Sequence, residues 1–381
     1  MQEIISERRN APPTEYIRIL MKKIKNYIAG SLAVLYAFFL IAFVRDVAAA
    51  VLNSVKVCLE VMIPSLYAFI VISGFIVSSG LYAVLSKPFG LISRYIFRIP
   101  QEYFSVFLIG SVGGYPIGAQ LLSGMVKENR IDKDTASHML SYCYLAGPAF
   151  ICGIAGVRLF SDVKIGMLIF GAIIGANFLV AFFTGLDRPV PERSSSKIKL
   201  DMSFDCLIRS ISKGAAGMFS ICGIIVFFSS IICILDKLNI IGTAAKLIES
   251  IMGLTYTDSI AAVKTFIEIS NIASLTPGNY DLIPLSAALL SFGGLCVLMQ
   301  IQGFTSGVLS TKRFYLCRII SMFISYFLCK ILIVICNVNS IYVTAPGKIV
   351  PRQNSPIPTV FLLIMTILLL SNISIAKNKK V

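Results

Sequence analysis

The sequence predicts an all-α, polytopic transmembrane helical bundle of about 8–10 spans, with broken or re-entrant helices and a two-half, inverted internal repeat. Three observations predict it. Hydrophobic residues make up 56% of the 381 and charged residues only 14%, and the mean hydropathy is +0.84; a soluble surface needs about 25% charged residues. The apolar residues fall in runs of about twenty, the length that crosses a hydrocarbon core of ~30 Å. Several runs are interrupted in their middle, at Gly113-Gly114 with Pro116, at Gly147-Pro148 and at Gly293-Gly294. This composition excludes a soluble enzyme, a disordered chain and a DNA-binding domain.

Residues 1–26 form a basic N-terminal segment with Arg8, Arg9, Arg18, Lys22, Lys23 and Lys25. The first span occupies 27–45. Its apolar run is longer than a signal-peptide core and is followed by Arg45-Asp46, so it reads as uncleaved. The basic cluster ahead of it places the N-terminus in the cytoplasm. A first half follows over 48–186. Val57–Leu81 carries Pro64. Ser86–Pro100 sets Lys87, Arg94 and Arg98 among Phe89, Leu91, Ile92, Tyr95, Ile96 and Phe97. It is too charged to span and suits an amphipathic helix lying in the interface. Tyr103–Val126 is broken at Gly113-Gly114 and Pro116. Asp132 or Asp134 can cap the next helix, Thr135–Phe160, which is interrupted at Gly147-Pro148. Ile165–Gly185 is an unbroken span, with Gly171 and Gly175 spaced for close packing.

Residues 187–203 are a linker with two prolines, three consecutive serines and four basic residues. The second half covers 204–337. It holds a span at Ile208–Leu235, an amphipathic stretch at Leu238–Leu254, and Ala261–Leu275, which carries Lys264, Glu268 and Asn271. Leu282–Val308 is broken at Gly293-Gly294, and Phe314–Cys336 is a span. A polar loop over 338–358 leads to a last transmembrane helix and basic tail, 359–381.

The net charge is +15, but the basic residues lie between apolar runs. That is the distribution of loops held at an anionic membrane face, not of a groove that tracks phosphates. The expected partner is therefore the lipid bilayer and not nucleic acid. The ten cysteines sit inside apolar runs without a Cys-x-x-Cys pair and read as small buried hydrophobes. His138 is the single histidine, so a histidine-based metal site is not expected, and neither a metal nor a cofactor is implied. His138 follows a charged turn and suits a surface or capping role better than proton relay. Ser111 with His138 lacks the Gly-x-Ser-x-Gly elbow of a serine nucleophile, and the chain is not read as an enzyme.

Ser111–Gln120 aligns with Ser291–Gln300, matching the serine, both glycines and the glutamine. Glycine pairs and proline free backbone N–H and C=O groups, each costing several kcal/mol if unsatisfied in hydrocarbon. Such breaks survive when buried in protein or lining a wet cavity, and one break per half marks a site near the bilayer midplane in many transporters. The candidate solute-binding residues are Ser111, Gly113, Gly114, Tyr115, Pro116, Gln120, Gly147, Pro148, Ser291, Gly293, Gly294 and Gln300. Serine hydroxyls and glutamine amides offer uncharged donors and acceptors, which suits a neutral polar solute. The alternative is that the small residues only allow helices to pack closely. Glu60, Glu268 and Asn271 are candidates for a coupling-ion site or polar path. Against this, Glu60 can pair with Lys56, and Glu268 with Lys264, at helical spacing.

Several stretches resemble one bacterial family: Leu59–Leu66 with Phe69, Ser79-Gly80-Leu81, Lys87–Gly90, Arg98-Ile99-Pro100, Gly113–Ala119, Ala146–Ile151 and Ser291–Leu295. Together they resemble the YlbJ-like sporulation integral membrane proteins, which carry a nucleoside-recognition "Gate" domain. The resemblance covers about residues 48–335. It implies a multi-pass cell-membrane protein of a spore-forming Firmicute, connected with formation of the spore cortex. It also implies a core related to nucleoside transporters, and so binding or transport of a small polar, nucleoside-like solute. A membrane scaffold in spore assembly, without transport, is the alternative. Oligomeric state, coupling ion and direction are left open by the sequence.

Overall fold

The computed structural model describes residues 13–191 and 200–338. The first twelve residues, part of the linker, most of the polar loop and the helix expected over 359–376 lie outside them. Among the described residues every regular element is helical. The protein is a polytopic helical bundle.

Helix α1, Pro13–Ala42, turns at Phe43 into α2, Val44–Val57. A π-helical turn, Cys58–Met62, carries α2 into α3, Ile63–Ser78. Pro64 stands at the start of α3, where its missing N–H is least costly. At Gly80 the chain bends by 89°, so that Leu81–Phe97 lies across the direction of α3. That is the orientation expected of the interfacial stretch with Lys87, Arg94 and Arg98. Helices α4, Phe104–Gly113, and α5, Ile117–Lys127, follow, then α6, Lys133–Leu140, capped by Asp132. The chain unwinds over 141–147 and resumes as Pro148–Leu159. Helix α7 is Val163–Gly185.

The second series repeats this order. Helix α8, Phe204–Lys237, is followed by α9, Ile240–Met252, and α10, Tyr256–Ile267. A 3₁₀ turn, Ile269–Ser274, leads on to α11, Ile283–Phe292, and α12, Gly294–Thr305, which are separated at Gly293. Helix α13 is Lys312–Ile335.

Contacts along the helices fix their directions. Helix α8 runs antiparallel to α2 and α3. Gly74 lies beside Ser210, Gly214 against Val71, Cys58 Sγ faces the Cys222 carbonyl, and Ser229 Oγ donates to the Ala50 carbonyl at 3.1 Å. At one end of this pair Asp46 meets Lys237 at 2.7 Å. At the other, Asp201 N donates to Ser79 O, and Arg130 donates to the Val77 and Ser78 carbonyls at 2.8 Å. This second end also gathers Arg98 on the Arg188 carbonyl, Arg188 on Asp134, and Arg313 on Asp187. It is the basic face of the bundle.

Helices α4 and α5 form a hairpin that starts and ends at the basic face. Tyr103 OH, just before α4, donates to the Arg130 carbonyl, just after α5, at 2.8 Å, and Gly110 packs on Gly118 between the arms. Ten residues at 1.5 Å each make α4 about 15 Å long, half a hydrocarbon core. Helix α10 and its 3₁₀ turn form a second hairpin from the opposite face. There Asp258 accepts from Thr276 N at 2.8 Å, and Lys264 pairs with Asp236 at 3.0 Å. The broken segment 133–159 leaves the basic face, since Ser310 N donates to Ser137 Oγ, and reaches the far one, where Gly278 N donates to Leu159 O at 2.8 Å. Helices α11 and α12 return in the reverse sense. Each series thus comprises a long helix, an interfacial helix, a hairpin, a broken helix and a straight helix, and the second series is upside down relative to the first.

This order changes two expectations. Among the described residues, five helices are long and apolar enough to cross a membrane, or six with the bent pair Leu66–Ser78 and Leu81–Phe97. The 8–10 spans predicted also counted broken runs and a last helix that lies outside the described residues. The runs 103–126 and 261–275 turn back as hairpins, and segment 133–159 is divided into short pieces. The alignment of 111–120 with 291–300 also pairs unlike elements: the first is a hairpin tip, the second a helix break. By position in the series, the tip at 113–116 corresponds to the tip at 267–269, and the break before Pro148 to the break at Gly293.

The surface supports membrane embedding. Helix α13 exposes Phe323 and Phe327, and α1 exposes Phe38 and Ile41. Contiguous apolar surface of this extent is unfavourable in water and neutral in lipid.

Candidate functional site

The two hairpin tips and the two helix breaks come together. In the first tip, Gly114 has φ +80° and its Cα approaches the Gly147 nitrogen so closely that a Cβ would sit 2.6 Å from it. Only glycine fits both the left-handed conformation and the gap. Tyr115 stacks on Tyr144 of the unwound segment with ring centroids 5.0 Å apart. Tyr144 OH donates to the Phe292 carbonyl at 2.9 Å, at the break of the second series. Gly293 follows with φ +85°, and a Cβ there would collide with the Tyr144 hydroxyl. Gly294 packs on the carbonyls of Thr265 and Ile267 beside the second tip. One tyrosine therefore joins both breaks and the first hairpin.

The unwound stretch 141–147 is held by a residue the sequence reading passed over. Arg318, on α13, is fully buried. It donates to the Tyr144 carbonyl at 3.0 Å, to Asn177 Oδ1 at 3.0 Å and to the Ser141 carbonyl. Its guanidinium lies over the rings of Tyr144 and Phe314, 4.9 and 5.6 Å from their centroids. Asn177, on α7, donates in turn to the Tyr144 carbonyl. Carbonyls that leave a helix inside an apolar core need such donors, and arginine supplies several in a fixed fork. A charged residue within the apolar run 314–336 was the available signal.

Between the tips lies a hollow with about 50 Å³ of room for the centres of water-sized molecules. A single water needs roughly 10–15 Å³ by that measure. Gly114, Tyr115, Gly147, Glu268, Cys296 and Gln300 line it, with apolar walls from Met62 and Leu66 on the α2–α3 side and Ile221 and Ile225 on α8. Glu268 is 5% exposed at the tip of the second hairpin. Its carboxylate accepts from Ser270 N and Asn271 Nδ2, both at 3.0 Å, and from Ser270 Oγ. Lys264 points to Asp236 instead, so the expected pair with Glu268 does not form. Tyr115 OH is buried and has no hydrogen-bond partner among the described residues. Gln300 is 3% exposed and reaches Cys296 Sγ at 3.6 Å. Residues bearing a carboxyl, a phenol and an amide thus line one small space among apolar walls, groups whose side chains can hydrogen-bond a neutral polar group if they turn towards it.

The other candidates stand elsewhere. Ser111 Oγ donates to the Phe107 carbonyl one turn back. Ser291 pairs with Ser321 at 2.9 Å. Gly113 and Pro116 shape the first tip, where the Tyr115–Pro116 peptide is cis, and Pro148 opens the helix after the break of the first series. Asn271 acts on the hollow only through Glu268. Gln120 lines a separate hollow. Glu60 is exposed, as is Lys56, which places it away from the hollow. His138 is buried with Nε2 on the Phe97 carbonyl, a packed position instead of the surface one expected.

These features define a multi-pass integral membrane protein of helical hairpins and broken helices around a small, mostly apolar hollow. No family model matches the chain, and no solved structure does. It is similar to the Sporulation integral membrane protein YlbJ of Bacillus subtilis (strain 168), with 32% identity over 124 residues. The matched stretch is 32% of this chain and 30% of that protein.

Proposed function

We propose that the chain is a sporulation-associated membrane protein that binds, and moves across the membrane, a small polar, nucleoside-like solute at the hollow between its hairpin tips. The observation that supports this reading best is the convergence of Glu268, Tyr115 and Gln300 from elements entering from opposite faces. A solute held there touches both series at once. Movement of either hairpin then opens the hollow to one face. The similarity to YlbJ supports a role in sporulation, and the sequence resemblance supports the spore cortex as its setting. By the positive-inside rule the basic face is cytoplasmic. Helix α1 doubles back along α8, with Tyr36 OH 2.5 Å from Ser230 Oγ. This supports the same side for the start of α1.

A nucleoside is larger than the hollow as it stands, so binding requires the tips to part. The small volume also favours the second reading, a scaffold without transport. The test is thermal unfolding of the purified protein against a broad panel of nucleosides and other small polar solutes, followed by flux in proteoliposomes. A true ligand at a hundredfold excess over its Kd stabilises by about 2.7 kcal/mol. No shift and no flux across the panel would overturn the solute reading. So would normal sporulation with a folded variant carrying bulky residues at Gly114 and Gly294.

A further inference from the structure

Gln120 is left over by the central hollow. It lines a second hollow of about 60 Å³ between α3, α5 and α8, and its Oε1 is buried without a hydrogen-bond partner among the described residues. An amide oxygen in that state is unfavourable unless a donor reaches it, and water or a solute can supply one where there is room. Across from it stands Gly217, whose added Cβ would come within 2.7 Å of the Gln120 amide nitrogen. The second hollow shares Ser78, Glu128 and Lys213 with a cleft of about 420 Å³ at the basic face. Arg130, Arg209 and Lys213 line that cleft with Glu128, and Arg209 also reaches Asp201 at 3.5 Å.

The three spaces follow one seam. On α8, Arg209 and Lys213 line the cleft, Ser210 and Gly214 the second hollow, Ile221 and Ile225 the central one. On α3 the order is Ser78, Ile70, Leu66. From Lys213 to Ile221 is about 12 Å at 1.5 Å per residue. Along α8 the Gln120–Gly217 contact lies between the residues that line the second hollow and those that line the central one.

We propose that the α3–α5–α8 seam is the aqueous access path by which small polar solutes pass between the basic face and the central hollow, with Gln120 and Gly217 as its constriction. This rests on the reading of the central hollow as a solute site. The path links the central site to the basic face when the constriction opens. The Gln120 side chain swings on its own rotamers to admit a solute and offers it an acceptor. Glycine at 217 leaves the space for that swing.

The test uses the full chain in sealed vesicles of both orientations and a membrane-impermeant, cationic methanethiosulfonate reagent, with adducts located by peptide mass spectrometry. The thiol introduced by Gln120→Cys should react at least about tenfold faster from the side that labels Ser78→Cys than from the other. Adding Gly217→Leu should slow it about tenfold while leaving the Ser78→Cys rate unchanged. Where the leucine variant is not monodisperse, reagent size decides: on Gln120→Cys alone, the small reagent should outpace a bulky one tenfold. A Gln120→Cys thiol that is silent from both sides while Ser78→Cys reacts overturns the path. So do faster reaction from the opposite side and indifference both to Gly217→Leu and to reagent size. Labelling reads access and involves no solute. A protein that shows this labelling but binds nothing in the solute panel keeps the path and loses the function; the converse result does the reverse.

Discussion

Replacing Arg318 by methionine removes the donor that holds the unwound stretch 141–147. Methionine fills similar volume without charge, so packing is largely kept. Two buried acceptors, the Ser141 carbonyl and Asn177 Oδ1, lose their donor, while the Tyr144 carbonyl keeps Asn177 Nδ2. Each orphaned acceptor costs roughly 1–3 kcal/mol. Relief from burying a guanidinium offsets part of this, so the low end, about 2 kcal/mol in total, is the expected loss. For a chain of 381 residues that lowers the melting temperature by about 2–3 °C. Arg318→Lys keeps the charge but not the fork and should lose about half as much. The local consequence is sharper. Cys143 is 2% exposed within the stretch Arg318 holds, and in Arg318→Met it should react with a small thiol reagent at temperatures where the parent protein is protected. Unchanged melting together with a protected Cys143 would show that packing alone holds the segment, and the role given to Arg318 would be wrong.

Gly293→Ala forces a methyl into the Tyr144 hydroxyl at a left-handed position, at a cost of about 2–4 kcal/mol. Tyr144→Phe in the same chain should recover part of that loss, and additive melting shifts would refute the contact. Glu268→Gln replaces a buried carboxylate with its neutral isostere; the protein should melt no lower than the parent by more than about 1 kcal/mol yet lose any solute-induced stabilisation, and a bound solute unaffected by the change would exclude Glu268 from the site. Asp132→Ala removes the N-cap of α6, worth about 1 kcal/mol at neutral pH. Burial pushes the Asp132 carboxyl up, but hydrogen bonds from Thr135 and the nearby Arg188 outweigh it and hold the group below its ordinary range. The cap's contribution is therefore present above the ordinary carboxylate pKa and lost as pH falls through the lower folded value. The melting difference between Asp132→Ala and the parent should shrink towards pH 3, and a constant difference would contradict this.

The class of fold was legible because lipid solubility is written in composition, and the breaks because glycine and proline inside apolar runs have few other uses. The interfacial placement of 86–100 could be read from its charges, and the cap at Asp132 from its spacing. The turning back of 103–126 and 261–275 could not. A run of about twenty apolar residues has the same composition whether it crosses or doubles back, and only contacts such as Tyr103 OH on the Arg130 carbonyl separate the two. The repeat was misaligned for a related reason: glycine pairs match by identity, whereas the equivalent tips, Gly114-Tyr115 and Ile267-Glu268, share a position and almost no residues. Glu268 stood out as a charge in an apolar stretch, and so could Arg318 have done. The separation of Gln120 from Gln300 into different hollows depends on which side of a hairpin each one faces, which no spacing reveals.

Meeting halfway has an electrical consequence. Each hairpin arm is about half the thickness of the hydrocarbon core, so Glu268 at the junction lies near the midpoint of any voltage across the bilayer. A full crossing by one elementary charge is worth about 2.3 kcal/mol per 100 mV. A proton travelling from either water phase to this carboxyl therefore traverses about half of that, roughly 1 kcal/mol per 100 mV. On the proposed reading, the occupancy of the carboxyl by a proton depends on membrane potential as well as on pH.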